Sequence, residues 1–224
     1  MNYALAAPIL LRGMSVTQPN RLPLAFKLVY TAFMAVFIPV YWYYYGPTNF
    51  LYFCDVALFL SLIGIWLESP LLISMCAVGI LIPQAVWVID FVSAALGYKL
   101  TGMTDYMFNS NSSLFLRGLS LFHGWLPFML LYLVWTLGYD RRGLPAWIAL
   151  AWALLLVCFF FMPPPRPNRG LTPVNINYVF GIDDSAAQTW VSPYVWLGGL
   201  MLGLPLVFAL THLLLTRFAP QAPQ

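Results

Sequence analysis

Four groups able to do chemistry sit inside apolar stretches of this chain: the thiol of Cys54, the carboxylate of Asp55, the guanidinium of Arg117 and the imidazole of His123. Cys54 and Asp55 are neighbours in LYFCDVALFLSLIGIWLES. Arg117 and His123 share the stretch 113–138, SLFLRGLSLFHGWLPFMLLYLVWTLG, and His123 is one of two histidines in the chain. A cysteine acts as a nucleophile only as thiolate, which requires a base or a positive neighbour. His123 is the available base and Arg117 the available charge. The planar guanidinium of Arg117 also suits a phosphate or carboxylate.

Each of these residues has a plainer reading. Cys54 also serves as a small apolar residue in a packed helix. Asp55, roughly 100° around a helix from Cys54, points elsewhere and is expected to pair with Arg117, either structurally or in catalysis. Asp90 reads as a cap on its own helix, and His212 as interfacial and uninvolved. His123, Asp55 and Asp90 would offer a metal three ligands from three helices. No HxxxH or ExxH pair supports that site, so no metal is expected. The chain has no Gly-rich phosphate loop, GxSxG elbow or CxxCH haem attachment, so no cofactor is expected either.

The elements that carry these groups follow from hydropathy. The chain has 224 residues, of which 62% are hydrophobic and 8% charged, and its mean hydropathy is +0.81. A water-facing surface needs about 25% charged residues, so the composition defines an integral membrane protein. Nine Trp and thirteen Tyr suit two interfacial aromatic belts. A net charge of +3 without a Lys/Arg run excludes a nucleic-acid partner. The three cysteines lie in apolar runs and form neither a disulfide framework nor a zinc spacing.

A helix crosses the hydrocarbon with about 20 apolar residues. That yardstick predicts an all-α polytopic bundle, one membrane domain over 1–224, with spans at 24–45, 50–67, 70–96, 113–138, 144–162 and 193–215. Glu68-Ser69-Pro70 and the stretch 139–145 read as tight hairpins. The connections 97–112 and 163–192 are long, and the second is expected to be a lid or binding loop. The amino-terminal run lacks a basic region ahead of it, so the first span is expected to direct insertion.

Arg12, Arg21, Lys27, Arg141, Arg142 and Arg217 share one side. Lys99, Arg166 and Arg169 share the other, with Arg117 just inside the membrane. The excess predicts a cell-membrane protein with both termini cytoplasmic. On that topology Asn49, Cys54, Asp55, Asp90, Arg117 and His123 fall in the outer half, beneath the loop carrying Asn175, Asn177 and Tyr178. Cys54 lies about 7 Å below its helix start and His123 about 14 Å, so contact between them requires tilt or offset. Ionisable groups at such depth face a bundle interior, a cavity or a partner. One polar site opening away from the termini is the expectation.

Three segments in order carry a resemblance: LYFCDVALFLSLIGIWLES, LFHGWLPFMLLYLVW, and NINYVFG followed by a polar spacer and PYVWLGGL. Over roughly residues 50–210 the pattern resembles the YwaF-like bacterial integral membrane proteins. It is also similar to their eukaryotic relative, a membrane acyltransferase acting on ether phospholipids, and to the androgen-induced membrane lipid hydrolases. The resemblance implies a nucleophile at Cys54, a histidine base at His123 and a loop motif at Asn177-Tyr178. GPTNFLYFCD departs from the family's approach to its cysteine, and Asp55 is an added charge.

The expected function is acyl transfer or ester hydrolysis on membrane lipids. Cys54 and His123 are the catalytic pair, and Asp55, Arg117, Asn175, Asn177 and Tyr178 line the substrate side. The alternative is a non-catalytic subunit packed against other membrane subunits of a pigment or redox assembly. A small transporter or receptor using the same pocket is a third, weaker reading.

Overall fold

The computed structural model describes residues 21–109, 113–168 and 170–223. Arg12 and Arg169, used in the charge count, lie outside the described residues. Seven α-helices follow in order: α1 Leu24–Tyr45, α2 Phe53–Leu67, α3 Pro70–Ala95, α4 Leu114–Ser120, α5 Phe122–Leu137, α6 Gly143–Phe161 and α7 Pro193–Phe218. Among the described residues no strand forms; one isolated bridge joins Tyr139 to Gln221. The protein is a helical membrane bundle in which α1, α3, α4 with α5, α6 and α7 are long and apolar enough to span.

Two predicted spans differ in form. The second was expected over 50–67, but α2 has 15 residues, about 22 Å at the helical rise. A 3₁₀ turn at Pro47–Leu51 and the extended Tyr52 (φ −62°, ψ 140°) replace its first turn. The fourth, expected to be continuous, breaks at Leu121, whose N–H bonds the Gly118 carbonyl in a tightened turn. Glycine is a poor helix former, and Gly118 lies on the outer side of this break. Arg117 and His123 are therefore carried by different helices. Four residues beyond His123, Pro127 lies inside α5, so the His123 carbonyl has no helical N–H to meet.

α3 is the axis of the bundle and packs on α2, α5, α6 and α7. Small residues permit the close approach that helix packing in lipid relies on. A Cβ at Gly79 would overlap the indole of Trp147 from α6, and one at Gly143 would press on the backbone of Met75. Ser69 starts α3 as N-cap, its side chain accepting from the Leu72 N–H at 3.4 Å.

The termini side is tied together through Glu68, which ends α2 in the left-handed region at φ 48°. Its carboxylate meets Lys27 Nζ at 2.7 Å and accepts the Arg21 and Leu22 N–H groups at 2.8 and 3.3 Å. Arg21 in turn donates to the Leu137 carbonyl at the end of α5, at 3.1 Å. The carboxyl-terminal residues fold back on the α5–α6 turn, with Tyr139 N–H donating to Pro220 at 2.7 Å and Ala222 N–H to Tyr139 at 2.9 Å.

Burial pulls the Glu68 carboxyl up, but the Lys27 ammonium and the two N–H donors outweigh it and hold the group below its ordinary value. A lowered native value stabilises above the unfolded value and loses that contribution as pH falls through the native one. Glu68→Gln is expected to destabilise the protein at pH 7 by about 1–3 kcal/mol. The gap to wild type should close below pH of about 4. Thermal unfolding in detergent across pH measures both.

Candidate functional site

Cys54 is the second residue of α2, half-buried and packed against the main core. A helix start leaves N–H groups without carbonyl partners, and Cys54 lies in that first turn. Asp55 is buried, 2% exposed, and its Oδ2 accepts from Asn49 Nδ2 at 2.6 Å. The 3₁₀ turn that shortened α2 thus supplies an amide for the carboxylate.

His123, near the start of α5, is stacked between Trp87 of α3, at 4.8 Å and 24°, and its neighbour Phe122, at 4.0 Å and 28°. Its Nδ1 lies 3.0 Å from Gln84 Oε1. The stack continues through Phe91 to Phe108, and so reaches the connection between α3 and α4. Tyr41 of α1 and Ser120 of α4 share a hydrogen bond of 2.7 Å. Tyr106 from that connection lies near Trp87 and Ser120. These hydrogen bonds gather polar groups of α1, α3, α4 and α5 at the end of the bundle away from the termini.

Arg117 departs from its expected partner. Its Nη1 donates to the Met107 carbonyl at 3.1 Å, and its buried Nε has no hydrogen-bond partner among the described residues. The ion pairs among those residues are Lys27–Glu68, Lys99–Asp105 and Arg142–Asp140, so the Asp55–Arg117 pair does not form. The break at Leu121 leaves Arg117 against the connection between α3 and α4, while Asn49 occupies Asp55.

Asp90 is also not a helix cap. Its carboxylate, 2% exposed, accepts from Thr101 N–H and Oγ1 at 2.7 and 2.8 Å, from Gly102 N–H at 3.3 Å, and from Thr104 N–H and Oγ1 at 3.0 and 2.6 Å. One side chain clamps the connection after α3 onto that helix. Among the described residues no three His, Cys, Asp or Glu side chains gather to hold a metal.

The loop 163–192 does not present its asparagines to a substrate. Asn175, Asn177 and Tyr178 take left-handed conformations, with φ of 49°, 57° and 59°. Asn175 Nδ2 donates to the Gly181 and Asp183 carbonyls, and its Oδ1 accepts the Phe180 N–H. Asn177 Oδ1 accepts the Phe53 N–H at 3.1 Å, while its Nδ2 donates to the Leu51 carbonyl at 2.9 Å and toward Cys158 Sγ at 3.5 Å. These amides are taken up by the loop backbone and the start of α2, where the sequence suggested that they line the substrate side. What Asn177 does is cap the first turn of α2, one residue before Cys54. Tyr178 is 39% exposed, with its carbonyl accepting from Trp196 Nε1. His212 lies on the termini side, bonded to the Tyr139 hydroxyl at 2.6 Å.

Sequence reading missed Gln84, Tyr41, Ser120 and Tyr106. Gln84 was findable as the lone amide in the apolar run of α3. The tyrosines carry no such signal, since their type fits lipid, interface and core alike. No family model, characterised protein or solved structure matches the chain, so the functional argument rests on this geometry.

Removing Asn177 strands the buried-side N–H of Phe53 and carbonyl of Leu51, and removing Asp90 strands two threonines. Asn177→Ala and Asp90→Ala are each expected to cost on the order of 1–3 kcal/mol. Asn177→Ala should open 163–192 to limited proteolysis, and Asp90→Ala should open 97–109 instead. Peptide mapping of the cut sites distinguishes the two.

Proposed function

We propose that this protein is a membrane-embedded enzyme acting on lipid esters, by acyl transfer or hydrolysis, with Cys54 as nucleophile and His123 as base. The observation that carries the reading is the pairing of His123 Nδ1 with Gln84 Oε1. With the proton on Nδ1, the Nε2 lone pair is free to take another. Support for the nucleophile comes from its place as second residue of α2, at the positive end of the helix dipole.

In this scheme the Cys54 proton passes to His123 Nε2 and the sulfur attacks the ester carbonyl carbon. The carbon–oxygen bond breaks, and the leaving alcohol takes the proton back from His123. Water or a second lipid hydroxyl then resolves the thioester, giving hydrolysis or transfer. Arg117, with an Nε uncommitted among the described residues, holds the phosphate or carboxylate of the headgroup. Tyr178 offers an exposed ring at the loop surface. Asn175 and Asn177 act through the loop they pin, and Asp55 through the turn it shares with Asn49. The resemblance to the YwaF-like proteins and their acyltransferase relative agrees with this assignment at Cys54 and His123. The site opens to the outer leaflet of the cell membrane, and both termini are cytoplasmic.

The test is to purify the protein with its bound lipids and follow lipid turnover by mass spectrometry. Cys54→Ala and His123→Ala are expected to reduce turnover at least about 100-fold. His123→Ala should also abolish acyl-thioester on Cys54. Unchanged lipid composition and turnover in both variants would remove the enzymatic reading and leave the role of an accessory subunit, checked by what co-purifies.

A further inference from the structure

Gln84 has no place in the functional reading of the sequence, yet it is 3% exposed, near the middle of the apolar helix α3. Burying an amide in such surroundings is costly unless it is hydrogen-bonded. Its Oε1 lies 3.0 Å from His123 Nδ1. The imidazole is held between Trp87 and Phe122, nearly parallel to both. Stacking sets the plane of the ring but not its orientation within that plane. Turning the ring over keeps both stacking partners and would bring a carbon to Gln84 in place of Nδ1. Only the in-plane hydrogen bond distinguishes the two orientations.

From this geometry we infer that Gln84 is the positioning residue of His123: it holds the ring in one orientation with the proton on Nδ1 and leaves Nε2 as the proton acceptor. Histidines that act at a second nitrogen are ordinarily oriented through the first. A carboxamide does this without adding charge, which matters where the ring lies in an apolar bundle. Gln84 touches no substrate in this scheme and acts only through the ring. Its position in α3, the helix that packs on α5, ties the orientation of the base to the central axis of the fold. The catalytic consequence rests on the proposed role of His123 as base, whereas the tautomer itself does not.

The experiment is ¹⁵N NMR of the full chain in lipid nanodiscs, labelled at histidine, with His123→Ala used to assign the two histidines. Wild type is expected to show a protonated Nδ1 and a pyridine-type Nε2 at His123. Gln84→Glu, an acceptor in the same place, should retain that pattern. Gln84→Leu should lose it and populate the Nε2-protonated ring. In lipid turnover, Gln84→Leu is expected to lower kcat roughly tenfold to a hundredfold with little change in KM, and Gln84→Glu to restore most of it. A wild-type ring protonated on Nε2, or a Gln84→Leu spectrum identical to wild type, overturns the inference. The wild-type spectrum decides the point even where Gln84→Leu fails to fold. If the tautomer is as expected while His123→Ala leaves turnover intact, the enzymatic reading falls and the hold of Gln84 on the ring stands.

Discussion

A polar side chain within an apolar bundle is costly until it meets a partner. This chain has few such side chains, and the architecture follows from how they find one another. Asp55 meets Asn49, Asp90 meets two threonines and a glycine N–H, Tyr41 meets Ser120, and His123 meets Gln84. None of these contacts joins residues of one helix. Each fixes a helix to another helix or to a connection, so satisfying the polar groups also sets the arrangement of the bundle.

The two ends of the bundle hold their buried polar groups by different chemistry. On the termini side, full charges are neutralised close to water: Lys27 with Glu68 and Arg142 with Asp140. On the opposite side the deeper groups are served by amides, hydroxyls and backbone N–H groups. Neutral donors avoid the desolvation of a second ion, which a buried ion pair must offset. This explains why Asp55 is served by Asn49 while Arg117 turns to a carbonyl. It also leaves the region around Cys54 and His123 with little fixed positive charge, apart from an arginine at its edge.

The long connections are built into the site as supports. The connection after α3 is clamped by Asp90 and sends Tyr106 and Phe108 back toward the helices. The loop 163–192 reaches α2 through Asn177, and that contact begins the turn bearing Cys54. Three residues within four positions of that loop, Asn175, Asn177 and Tyr178, share left-handed backbone. Asparagine tolerates that region better than most residues, and its amide then pins the loop it bends.

The chain's composition determined that this is a helical membrane protein, because so few charged residues leave no other solvent-compatible surface. Apolar run length placed α1 over 24–45 and brought α3, α6 and α7 close to their observed limits, since a bilayer sets one length for every crossing helix. Position along those helices also put Cys54, Asp55, Asp90, Arg117 and His123 in the half of the bundle away from the termini. Tertiary structure alone decided who pairs with whom. Arg117 and Asp55 look complementary as letters, yet a break at Leu121 and an amide at Asn49 separate them. Asn175 and Asn177 read as ligand-binding donors until the fold used their amides up. Gln84 gained meaning only when α5 brought His123 to it. Hydropathy reports how deep a residue lies, whereas hydrogen bonds depend on rotation about each helix axis and on where helices break, and those are settled by packing.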